Sequence, residues 1–136
     1  MDFLNSMKVA ASGLRAQSGR MRVIAENIAN ADSTGTTQGA DPYRRKIPSF
    51  QSALDRATGV SLVEMGSIKQ DRSDFKTRFE PGHPAANDQG YVKMPNVSTL
   101  IETVDMRQAQ RSYEANLNVI QSTRTMMQRT LDILRG

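Results

Sequence analysis

Two helical heptads, one at each end of the chain with nothing comparable between them, constrain what this sequence can fold into. Over the first thirty residues Phe3, Met7, Ala10, Leu14, Gln17, Met21, Ile24 and Ile28 follow alternating steps of four and three, the seam of a coiled coil. Near the other end Met106, Gln110, Tyr113, Leu117, Ile120, Arg124, Met127, Leu131 and Leu134 obey the same rule. The pattern predicts a mainly α fold in which the terminal helices pair as a coiled coil. Its segments are an N-terminal helix over 1–31, a small irregular β-rich insert over 32–97 and a long C-terminal helix over 98–136. On this reading Leu14, Met21, Ile24 and Ile28 pack against Tyr113, Leu117, Ile120, Met127 and Leu131, within or between subunits.

Each helix also carries a second apolar stripe. Val9, Ala16 and Val23 recur every seven residues on the first, and Val119, Met126 and Ile133 on the second. At about 100° per residue each stripe lies roughly 130° around its helix from the main seam. A two-helix hairpin covers only one side of each helix, so the other must meet the middle of the chain or a neighbouring molecule. The spacing alone leaves both covers open. A neighbour would be met through Val9, Val23, Val119, Met126 and Ile133.

Composition argues against a thick monomeric core. The 136 residues suffice for one domain, but only 38% are hydrophobic, with four Phe, three Tyr and no Trp, and the mean hydropathy is −0.54. Eight methionines, several on the seams, suit surfaces that adapt to slightly different neighbours, because the side chain is unbranched and flexible. The absence of cysteine removes disulfides, thiolate metal sites and thiol nucleophiles together. No apolar run approaches the roughly 20 residues that cross a bilayer, and the N-terminus lacks a signal-peptide core. A chain of this kind is expected to stay in the cytoplasm or to leave by a route that reads no cleaved signal. The net charge of +4 is spread over both helices with no interleaved aromatics to stack bases, which disfavours nucleic acid; Arg44, Arg45 and Lys46 keep the capacity to contact an anionic partner.

The first helix is expected from Asp2 or Asn5 to about Asn30. Gly13 and Gly19 in its interior each cost about 1 kcal/mol relative to Ala, so it needs partners to order it. Asn27 and Asn30 are expected to end it and hold the following loop, since Asn tolerates the left-handed conformation found at helix ends. Strands are expected at Val60 to Met65, around Phe75, Thr77 and Phe79, and at Tyr91 to Met94, with turns at Pro81–Gly82 and at Asp88 to Gly90. The last helix opens on a capping box, Thr99 with Glu102. It then runs about 36 residues without proline or glycine, a rod of roughly 54 Å.

Catalytic chemistry is missing. His83 stands alone in a turn, no phosphate-binding loop or nucleophile elbow is present, and acidic pairs such as Asp71 with Asp74 have the character of solvated groups. No enzyme activity, metal, cofactor or small-molecule substrate is expected.

One set of residues resembles a known family. Ser12, Gly13 and Leu14, then Asn27, Ile28, Ala29 and Asn30 followed by Ala31, Asp32, Ser33 and Thr34, and finally Tyr113, Glu114, Ala115 and Asn116 look like the terminal motifs of the bacterial flagellar axial proteins. Pro42 to Lys46, Pro81 to Pro84 and Gly90 to Val97 are similar to the proximal-rod branch of that family. Gly35 is followed by Thr36 rather than by the Tyr of distal-rod and hook relatives. The resemblance implies a structural subunit that leaves through the flagellar type III export apparatus without cleavage of a signal peptide. Such subunits polymerise in the periplasm, as a rod that transmits torque from the basal-body ring towards the hook. Its implied partners are other copies of itself, other rod proteins, and ring and export-gate components, with the terminal helices as an inner layer. The rival readings are a different axial subunit, such as another rod or hook-junction protein, a basic helical protein binding nucleic acid, and, more distantly, an enzyme acting on the cell wall.

Overall fold

A computed structural model describes residues 2–136 as two long helices and three two-stranded antiparallel sheets. Helix α1 spans Phe3–Ala29 and α2 spans Thr99–Arg135, and together they hold 47% of the chain. Between them run β1 (Lys46–Ile47), β2 (Phe50–Asp55), β3 (Val60–Met65), β4 (Lys69–Gln70), β5 (Lys76–Phe79) and β6 (Tyr91–Met94). Strand β2 pairs with β3 from Phe50 opposite Met65 to Asp55 opposite Val60. β5 pairs with β6, Phe79 opposite Tyr91, and β1 with β4, Lys46 opposite Gln70. The patterns at Val60 to Met65, around Phe75, Thr77 and Phe79, and at Tyr91 to Met94 mark three of these strands, β3, β5 and β6; β2 and the short β1 and β4 are not among the expected strands.

Local chemistry sets the ends of the elements. The Asp2 carboxylate accepts the Leu4 N–H at 3.0 Å, satisfying one of the free donors at the start of α1. At the other end, no non-glycine residue among those described takes a positive φ, so α1 does not close through a left-handed Asn. Instead Asn30 Nδ2 donates to the Glu26 carbonyl at 2.9 Å and its Oδ1 accepts from Ser33 at 3.1 Å. The β2–β3 turn needs Gly59 at φ 69°, where its N–H donates to Asp55 O at 2.7 Å. The β5–β6 turn similarly uses Gly90 at φ 84°.

The chain divides into two compact bodies, the first drawn from three stretches and the second from two. The first comprises the N-terminal stretch to Met21, Ser49–Ser67 and Arg107–Gly136. Here the β2–β3 hairpin lies against α1: Ser12 Oγ accepts the Val63 N–H at 3.2 Å while donating to Val9 O at 2.7 Å. The second comprises Arg22–Pro48 and Ile68–Met106. Its apolar centre gathers Ala85, Ala86, Val92 and Met94, with Val92 and Met94 supplied by the inward face of β6.

Candidate assembly site

In the first body the two glycines of α1 mark close approaches. A side chain at Gly13 would begin 2.7 Å from Asn116 Nδ2 and 2.9 Å from its Cγ. One at Gly19 would begin 2.8 Å from Met65 Cγ. The glycines that weaken the isolated helix are therefore the places where α2 and β3 come in. Arg20 donates to Gln108 at 3.2 Å, so seven residues forward on α1 is eight back on α2, and the helices run antiparallel in this body. Extrapolated along that track, α2 continues roughly two and a half turns past the start of α1.

The buried face of α2 differs from the apolar heptad. Ala109 and Thr123 are buried, and Asn116 and Ile120 half-buried, whereas Gln110 and Arg124 are exposed and Leu117 is 38% and Leu131 54% exposed. Met106, Tyr113, Ile120 and Met127 sit on the sheltered side as the heptad implies. The alternate positions move by one residue, to Ala109, Asn116 and Thr123. Small and polar side chains there permit the close helix approach at Gly13, and a search for apolar periodicity passes over them. On α1, Ile24 is buried and Leu14, Met21 and Ile28 are half-buried.

The second stripes divide. Val23 is only 1% exposed and Ala16 is buried, Ala16 beside Leu62, Val63 and Met65 of the hairpin. The hairpin shelters Ala16, and Val23 is buried within the chain's own fold, so it offers nothing to a neighbour in this conformation. Val9 remains exposed and shares an open groove with Asn5, Asn116 and Val119. Val119, Met126 and Ile133 are all uncovered, Ile133 at 79%. Leu134 and Leu4 are bare as well. At the start of α2 the second body shows another exposed group that the heptads did not flag, Leu100, Ile101 and Val104.

Asn27 anchors the second body. It is fully buried, and its carboxamide meets both backbone groups of Lys46: Nδ2 donates to the carbonyl at 2.8 Å and Oδ1 accepts the N–H at 2.9 Å. One side chain thus does what an extra strand would do at the edge of β1. Asn27 Oδ1 also accepts from the Tyr43 hydroxyl at 2.8 Å, and Nδ2 reaches Glu102 Oε2 at 3.2 Å. Glu102, 1% exposed, takes Arg45 Nε on its other oxygen. Its carboxylate is committed to Arg45 and Asn27 rather than turned back on the helix start, and the expected capping box is not formed. Burial opposes the Arg45 charge, but the hydrogen bonds and charges of Glu102 and Asp71 outweigh it and raise its pKa. Burial, then the charges of Glu26 and Glu102, push the Tyr43 hydroxyl up.

His83 is tied in rather than free: Nδ1 accepts the Ala85 N–H at 3.0 Å and Nε2 faces Thr34 Oγ1 at 3.2 Å. Among the described residues no His, Cys, Asp or Glu cluster is placed to hold a metal ion. No described helix is long and apolar enough to cross a membrane.

The helix-pairing motifs at the two ends have counterparts in known proteins. Residues 7–36 match the family model described as "Flagella basal body rod protein", and residues 88–133 match "Flagellar basal body rod FlgEFG protein C-terminal". These two matches define the class, that of the flagellar basal-body rod proteins. The chain is 55% identical to the flagellar basal-body rod protein FlgC of Agrobacterium fabrum, over 95% of this chain and 93% of that one. It is 43% identical to FlgC of Salmonella typhimurium over 98% of both. Against FlgC of Bacillus subtilis it is 37% identical, over 98% of this chain and 99% of the relative. The chain belongs to the FlgC family.

Proposed function

We propose that this chain is a subunit of the proximal rod of the bacterial flagellar basal body, assembling through the helix faces that its own insert leaves bare. Membership of the FlgC family makes it a structural rod protein of the basal body, not an enzyme. The observation that carries the assembly reading is the division of the apolar stripes. Ala16 and Val23 are spent on internal packing, while Val9, Val119, Met126, Leu131 and Ile133 are held out on helices too long for the rest of the chain to cover.

On this proposal 1–31 and 98–136 form the inner layer, where helices of neighbouring subunits complete a coiled-coil seam through Leu117 and Leu131, and 32–97 lies further out. Each apolar layer contributes a few kcal/mol, so many moderate contacts in series carry torque towards the hook. A thin core keeps the free chain easy to unfold for export without a cleaved signal. Its partners are further copies, other rod proteins, and ring and export-gate components, in the periplasm. Full-length identity to FlgC disfavours another axial subunit or a nucleic-acid-binding protein.

A photo-activated cross-linker at Ile133, used in cells and read by mass spectrometry, tests the surface. Cross-links to a second copy or to another rod protein are expected. Assembled basal bodies in which Ile133 cross-links only within its own chain would overturn the assignment.

A further inference from the structure

The β1–β4 sheet has two edges, and only one is covered. In an antiparallel ladder, residues opposite one another that do not bond to each other point their N–H and C=O groups outward. Lys46 is such a residue: its outward groups are taken by Asn27, while the ladder bond runs from Asp71 N to Arg45 O. Its partner Gln70 must therefore present its own N–H and C=O on the far side of β4, where it is exposed and no further backbone partner exists among the described residues.

That open edge is bordered by cations. Arg44, Lys69, Gln70 and Arg72 line one groove. Arg44 is held in place: one guanidinium nitrogen donates to the carbonyls of Asp71 at 2.9 Å and Ser73 at 3.1 Å, and the group lies 4.1 Å from the Phe75 ring centre. None of Arg44, Lys69 and Arg72 is in an ion pair among the described residues. Of the carboxylates in 69–74, Asp71 is engaged by Arg45 and the Ser73 N–H, and Asp74 is in no ion pair among the described residues.

We infer that this edge takes an extended acidic segment of a different protein, which adds a short strand to β4 through Gln70 and sets its carboxylates against Arg44, Lys69 and Arg72. Strand addition supplies backbone bonds, and flanking charges select the partner. Like charges repel a second copy of the same edge, the usual defence of an exposed strand, so the occupant is not this chain. A backbone-bonding edge favours a peptide over a lipid surface.

The test is fluorescence anisotropy of a labelled peptide alternating Glu and Thr against the full chain, with hydrogen exchange followed at residues 69–72. Binding should weaken with salt and slow exchange at Gln70. It should fall about tenfold in the Lys69→Glu, Arg72→Glu double variant, whose exposed substitutions change two surface charge contacts. A peptide alternating Lys and Thr should not bind. Undiminished affinity in the double variant, binding without protection at Gln70, or displacement of the peptide by anionic phospholipid vesicles as readily as by unlabelled peptide would each overturn the proposal.

Discussion

The Asn116 carboxamide occupies the space in which a side chain at Gly13 would have to begin, with Nδ2 2.7 Å from that point. Gly13 lies in the Ser-Gly-Leu motif near one end of the sequence and Asn116 in the Tyr-Glu-Ala-Asn motif near the other, so two separated patterns are halves of one contact. Replacing Gly13 with Ala should cost about 1–3 kcal/mol through overpacking. In an Asn116→Ala background the same change should become neutral or stabilising by up to about 1 kcal/mol, because only the helix propensity gain is left. Urea unfolding of the four members of this double-mutant cycle measures the reversal; equal costs in both backgrounds would show that the contact is not what demands glycine.

Removing the Glu102 carboxylate should do more harm than removing any surface charge. Glu102→Ala takes from Arg45 its one buried counter-charge, leaving only the longer pairs with Asp71 and Asp105, and removes one of the bonds of Asn27 Nδ2, for an expected loss of about 3 kcal/mol. Lys93→Ala, which breaks an exposed pair with Asp41, should cost under about 1 kcal/mol. Parallel thermal and urea denaturation compares the two.

Alkaline pH should loosen the second body through Tyr43. Burial and the nearby carboxylates raise its folded pKa above the ordinary 10.0. The folded chain therefore keeps a proton that the unfolded chain has lost. Stability should be intact below about pH 10 and decline as pH rises through the folded value. Tyr43→Phe should abolish that component of the decline while losing the hydroxyl bond to Asn27, and stability curves between neutral and alkaline pH check both effects.

Charge placed on the two second stripes should separate folding from assembly. Val23→Asp buries an unpaired carboxylate and should unfold or severely destabilise the isolated chain. Ile133→Asp, on an exposed position, should leave its melting temperature within the range of surface substitutions and yet impair rod formation in cells. Circular dichroism and motility assays on both variants read the distinction.

Periodicity in the sequence records local repeats and not contacts between distant residues. Both helices, the strands at Val60 to Met65 and Tyr91 to Met94, and the turns at Pro81 and Gly90 were legible because each repeats a local pattern or carries a turn residue. The buried face of α2 was only half legible. Asn116 and Thr123 are polar and Ala109 is small and alone, so the three form no apolar repeat, though the pairing of Gly13 with a short polar side chain is what brings the helices close. The network of Asn27, Tyr43, Arg45 and Glu102 was hidden for another reason: its members lie up to 75 positions apart, and Glu102 three residues after Thr99 imitates a helix cap. Leu100, Ile101 and Val104 fall outside the seven-residue steps of either stripe, so the repeat does not reveal them.

Electron microscopy of basal bodies from cells lacking this chain tests its role as a rod subunit most directly. Absence of the rod and hook, with both restored by the intact gene, is the predicted result. Complete rods and hooks on cells without the chain would contradict it.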